Sequence, residues 1–115
     1  MKVTCYLICL IISISVLSPT AHAFNIAQNV CEYIAADDKK RLRKLLKTNH
    51  LKIRNLLDDI TCNGQNILVF SVDRKANEIS DLIIKKLPKN VLEENLAAVK
   101  DISPETAALM QERIN

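Results

Sequence analysis

Between Cys62 and Leu87 the apolar residues fall at intervals of three and four: Ile67, Leu68, Phe70 and Val72, then Ile79, Leu82, Ile83 and Leu87. That spacing gathers side chains on one side of a helix and does not match the alternating faces of a strand. Asn63-Gly64 opens the stretch as a turn in which glycine supplies positive φ, and Asn66 and Asn77 stand where two helices need capping oxygens. Glu78 and Asp81 fall in the first turn of the second helix, where the helix dipole favours negative charge. The pattern predicts a helical hairpin that the rest of the chain supports. With one glycine, three prolines and no sustained alternation, little is left for a sheet, so the expected fold class is all-α, paired helices rather than a regular bundle.

The flanking segments extend this pattern. Ile26, Val30, Tyr33 and Ile34 predict a first helix over Phe24 to Ala36, with Cys31 on the same broad face. Asp37-Asp38 can cap a second helix, whose apolar stripe is Leu42, Leu45 and Leu46 and whose opposite side is Lys40, Arg43, Lys44 and Lys47. Thr48-Asn49 interrupts it, and Leu51, Ile53, Leu56, Leu57 and Ile60 predict a short third helix. Beyond Pro88, Asn90 and Glu93 resemble a capping box for a helix over Val91 to Val99. Ser103-Pro104-Glu105 then starts a last helix with a cap, a proline in the first turn and an acid behind it. Its weakly apolar interior makes 100–115 the segment expected to dock least firmly. A faint echo is also visible: Ala36-Asp37-Asp38 followed by Leu45-Leu46 returns 38 residues later as Arg74-Lys75-Ala76 followed by Ile83-Ile84.

The N-terminus predicts a destination. Lys2, the apolar run Cys5 to Leu17 and the Ala21-His22-Ala23 cleavage pattern read as a secretory signal over Met1 to Ala23. The run is shorter than the roughly 20 apolar residues a membrane span needs. Cleavage after Ala23 would leave 24–115 as one exported, most simply periplasmic, domain, small enough to bury roughly 60 to 65% of its unfolded surface. The net charge of +3 drops by one with Lys2, so net charge names no partner. Cys5 and Cys9 leave with the leader, and two remaining cysteines in an oxidising compartment predict one structural bridge, Cys31 to Cys62. A redox pair or a thiolate metal site are the alternatives, and the chain has neither the Cys-x-x-Cys spacing nor the histidine partners they need.

Two resemblances bear on this reading. From Asn63 to Ile84 the order Asn63-Gly64, Leu68, Ser71, Glu78, Ile79, Leu82, Ile83 resembles an ankyrin repeat, which implies the geometry of a helical hairpin and no function. Ile67 and Val69 stand where that family has Pro and His, and Lys75 where it has the Gly of a left-handed turn. From Cys31 to Pro88, the runs Cys31-Glu32-Tyr33-Ile34, Asp37-Asp38-Lys39, Arg41-Leu42-Arg43, Leu51-Lys52-Ile53-Arg54 and Cys62-Asn63-Gly64 occur in order. Together they resemble the small exported proteobacterial proteins grouped as domain-of-unknown-function family 3718. That resemblance implies export, one domain and paired Cys31 and Cys62, and it carries no activity.

No cluster here has the composition of a catalytic centre. His50 is the one histidine after the leader and has no Cys pair or carboxylate cluster in sequence reach. Asp58-Asp59 and Glu93-Glu94 are adjacent pairs that diverge around a helix, and no phosphate-binding glycine loop or nucleophile elbow occurs. The expectation is a protein that is not an enzyme and uses no cofactor or metal. Lys39 to Arg54 carries eight Lys or Arg and no acid, readable as a solvated face or as a site for anions at Lys40, Arg43, Lys44 and Lys47. Nucleic acid is not expected, because the compartment is wrong and Phe24, Tyr33 and Phe70 make no stacking platform. The leading expectation is a periplasmic protein-binding or adaptor domain acting on another envelope protein. Binding of anionic lipid or lipopolysaccharide phosphates, or inhibition of an envelope enzyme or toxin, are the alternatives, and the sequence sets no oligomeric state.

Overall fold

The computed structural model describes residues 20–115, with side chains described from residue 25 onward. In chain order it runs α1 (Thr20–Ala35), α2 (Lys39–Thr48), α3 (Ile53–Asp59), β1 (Thr61–Cys62), β2 (Gln65–Asn66), α4 (Ile67–Asp73), α5 (Asn77–Lys86), α6 (Lys89–Ile102) and α7 (Pro104–Ile114). The all-α expectation holds apart from a hairpin of two-residue strands. The apolar run expected to direct export lies outside the described residues, and only residues 20–23 of the expected leader enter, as the start of α1.

Helix α4 is the hub. Ile67, Leu68, Phe70, Ser71 and Val72 are all buried along it, so its seven residues face neighbours on nearly every side. It packs against α1, α3, α5, α6 and both strands. The buried Ser71 hydroxyl donates to the Leu68 carbonyl at 2.7 Å, which satisfies the one polar group on that surface. Ile79, Ser80, Leu82, Ile83 and Ile84 bury the facing side of α5. The core extends outward through Val30 and Ile34 of α1, Leu42 of α2, and Val91, Leu92 and Val99 of α6. The last helix, expected to dock least firmly, packs on α6 with Met110 fully buried and Ala107 nearly so.

Three helices end in the same way, each with a residue other than glycine in left-handed conformation: Asp37 (φ 51°), His50 (φ 53°) and Lys75 (φ 57°). The N–H groups that follow reach back to close the helix ends, Asp38 to Tyr33 at 2.8 Å, Leu51 to Leu46 at 2.9 Å and Ala76 to Ser71 at 2.9 Å. The 38-residue echo in the sequence therefore corresponds to one turn geometry used between α1 and α2 and again between α4 and α5.

Helix starts are less local than the sequence implies. Asp38 caps α2 through the Arg41 N–H and Asn66 caps α4 through the Val69 N–H, as expected. Asn77 does not cap α5, because it is already the first helical residue, behind Ala76. The capping oxygens come from Asp37, whose carboxylate accepts from the N–H groups of Ile79 at 3.0 Å and Glu78 at 3.4 Å. Nor does Asn90 cap α6: the helix begins at Lys89 behind Pro88, with no side-chain cap. Ser103 does cap α7, through the Thr106 N–H. Asn66 also donates to Asn95 at 2.7 Å, which ties the start of α4 to α6.

The disulfide joins Cys31 in α1 to Cys62 in β1, with Cα atoms 5.6 Å apart and a sequence separation of 31. Asn63 (φ 54°) and Gly64 (φ 77°) both take positive φ and form the two-residue turn of the β1–β2 hairpin, in which Cys62 pairs with Gln65 and Thr61 with Asn66. The turn thus has the structural role expected of it, and it presents Cys62 to α1.

Candidate functional site

The four cations singled out on α2 all stand in solvent, and the helix divides them. Arg43 and Lys47 line a groove of about 730 Å³ between α2, the start of α3 and the end of α5. Lys44 lies on the other side, against a shallower hollow beside Tyr33, Arg41 and Leu45, and Lys40 lines neither. Of the four residues expected as an anion site, Arg43 and Lys47 share this groove, whose lining also includes Lys52, Arg54 and Lys86.

Local sequence explains the arrangement. Leu42 is buried, which turns the following Arg43 and Lys47, one and five residues on, to the flank of α2 beside Leu46. His50 in left-handed conformation ends α2 and sends the chain back, so that Leu51, Lys52, Ile53 and Arg54 form the next wall. Lys86 comes from the last turn of α5, where Leu87 and Pro88 close the end of the groove. The floor is apolar: Ile53, Leu82 and Leu87 are buried in the core, with Leu46 and Leu51 packed half-buried against it. The rim carries five cations and no acid.

Among the described residues none of these five cations is in an ion pair. Arg41 is committed elsewhere, with its Nε 3.2 Å from Asp38 and its guanidinium 6.0 Å from the centre of the Tyr33 ring. Lys85 pairs with Asp81 at 2.8 Å and lines a different recess from Lys86. Five unpaired positive groups around a recess raise the local potential by superposition, and neighbouring like charges favour an anionic occupant that relieves them. Lys52 and Arg54 belong to the basic run visible in the sequence. Lys86 does not, and only the packing of α5 beside α2 reveals it.

Among the described residues no group of three or more His, Cys, Asp or Glu could hold a metal ion, and no described helix is long and apolar enough to cross a membrane. His50 is exposed in the turn after α2. A recess with a cationic rim and an apolar floor suits a negatively charged group or chain.

A family model described as a protein of unknown function (DUF3718) matches residues 30–94. The matched region takes in the two disulfide-bonded cysteines and every residue of the groove. No curated protein and no solved structure matches the chain.

Proposed function

We propose that this chain, which belongs to the DUF3718 family of proteins of unknown function, is a non-catalytic protein-binding domain of the cell envelope whose cationic groove seats an acidic segment of its partner. The observation that carries this is the five-cation rim of Arg43, Lys47, Lys52, Arg54 and Lys86 above an apolar floor. Envelope location is supported by the apolar run Cys5 to Leu17, the Ala21-His22-Ala23 pattern and the disulfide.

A protein segment fits this recess better than a bilayer does. The floor lies below the rim, and among the described residues no exposed large apolar side chain stands beside the cations: those exposed are Ile102 and Leu109, on α6 and α7. Domains that lie on membranes insert such side chains alongside their cations. A convex acidic helix, with an apolar residue between its acids, reaches rim and floor together.

Calorimetric titration with an acidic amphipathic peptide tests the reading. Binding is expected at low salt, weakened by added salt as rim charges are screened. Double charge reversal, Lys52→Glu with Arg54→Glu, is expected to weaken it at least about tenfold. Unchanged affinity in that variant would overturn the proposal. So would firm binding to phosphatidylglycerol vesicles with none to the peptide, which would make the groove a headgroup site.

A further inference from the structure

The chemistry that the groove calls for is present on this chain itself. Glu105, Leu109 and Glu112 follow one another at spacings of four and three along α7 and so share a face. All three are exposed, Leu109 at 55% the most exposed large apolar side chain among the described residues. Neither glutamate is in an ion pair among the described residues. The result is an acid, an apolar anchor and an acid on successive turns, the complement of a cationic rim over an apolar floor.

We propose that the Glu105, Leu109 and Glu112 face of α7 docks in the Arg43, Lys47, Lys52, Arg54 and Lys86 groove of a second copy of this chain. This rests on the reading of the groove above and names its partner. A molecule cannot satisfy its own groove, because the two surfaces lie on different sides of α5. Asp81, Ile84 and Lys85 of that helix line an open recess together with Glu105, Leu109, Glu112 and Arg113 of α7, whereas Leu82 and Lys86 line the groove. The contact joins unlike surfaces, so it is head-to-tail: each added copy leaves one free groove and one free α7 face. Leu109 gives up its exposed apolar surface on docking, which supplies the non-directional part of the attraction. The charges set register and speed of encounter.

Sedimentation analysis across a concentration series, at low and high salt, tests this with paired charge swaps. The wild-type chain is expected to gain mass with concentration, and the gain to shrink as salt rises. A groove-reversed variant (Lys52→Glu, Arg54→Glu) and a face-reversed variant (Glu105→Lys, Glu112→Lys) should each stay monomeric alone and associate when mixed, since each then offers the other a complementary surface. Leu109→Ser should weaken association about tenfold without altering the charge pattern. All these positions are exposed, and circular dichroism melts confirm that each variant folds. A wild-type chain that stays monomeric at low salt overturns the proposal, as does association by either reversed variant alone, or a mixture that remains monomeric. If self-association is absent while the acidic peptide still binds the groove, only the self-docking is wrong. If both are absent, the reading of the groove fails with it.

Discussion

The helix pairs α1–α2 and α4–α5 turn in the same way and are held in opposite ways. In each, a left-handed residue ends the first helix and a second helix of ten residues follows. The α4–α5 pair lies inside the molecule, with ten buried residues shared between its two helices. Helix α2 fully buries only Leu42, with Leu45 and Leu46 half-buried against the core, and the rest of its surface faces water and carries charge. A pair with so small a share of the core needs other anchors, and it has two: the Cys31–Cys62 bond and the Asp37 carboxylate on the start of α5. One supersecondary unit thus serves as core and as charged platform, and what differs is how each copy is fastened. A peripheral helix with little core duty can carry closely spaced like charges, and it contributes two of the five groove cations, Arg43 and Lys47, while Lys52, Arg54 and Lys86 come from the segments packed beside it.

The strongest way to break this comparison is to cut the staple. Replacing both cysteines by alanine is expected to cost about 3.5 kcal/mol, the entropy of a loop of this length in the unfolded chain. Hydrogen exchange should show α1 and α2 losing protection before α4 and α5. Uniform loss across both pairs would mean that they are not separately fastened. A smaller effect is expected from Asp37→Ala, which removes the capping oxygens from α5 and should lower stability by about 1 kcal/mol, read from chemical denaturation. The smallest sharpens the contrast most. Lys75→Gly should raise stability by about 0.5 kcal/mol, because glycine takes positive φ without strain and the Lys75 side chain is exposed. Asp37→Gly, at the matching turn position, should lower it, because the lost cap outweighs the relieved backbone. Equal signs in the two variants would show that the Asp37 contact adds nothing.

Much of the fold was legible because apolar spacing is a local signal. Ile67 to Val72 and Ile79 to Leu87 predict α4 and α5 closely, and Ser103-Pro104 predicts the start of α7. Contacts between distant segments were not legible. Asn77 looks like the cap of α5 from within its own stretch, yet the oxygens that do the work come from Asp37, 42 positions from Ile79. The β1–β2 hairpin was foreshadowed by Asn63-Gly64, the strongest short hairpin signal, but strands of two residues leave no alternation to read. At α6, the capping-box pattern of Asn90 and Glu93 lost to Pro88, which ends α5 and starts the next helix at once. At the groove, the basic run pointed to α2 but could not say which of its cations share a recess. Lys40 and Lys44 are as basic as Arg43 and Lys47, and only the burial of Leu42 and the path after His50 decide which of them meet Lys86.

The groove's role as the seat of an acidic partner is tested most directly by nuclear magnetic resonance titration with an acidic amphipathic peptide, following every backbone amide. The expected result is a salt-sensitive set of shifts centred on Arg43, Lys47, Lys52, Arg54 and Lys86, with Lys40 and Lys44 little changed although they carry the same charge. Shifts spread evenly over all the lysines of α2, or centred away from α2, α3 and the end of α5, would contradict it.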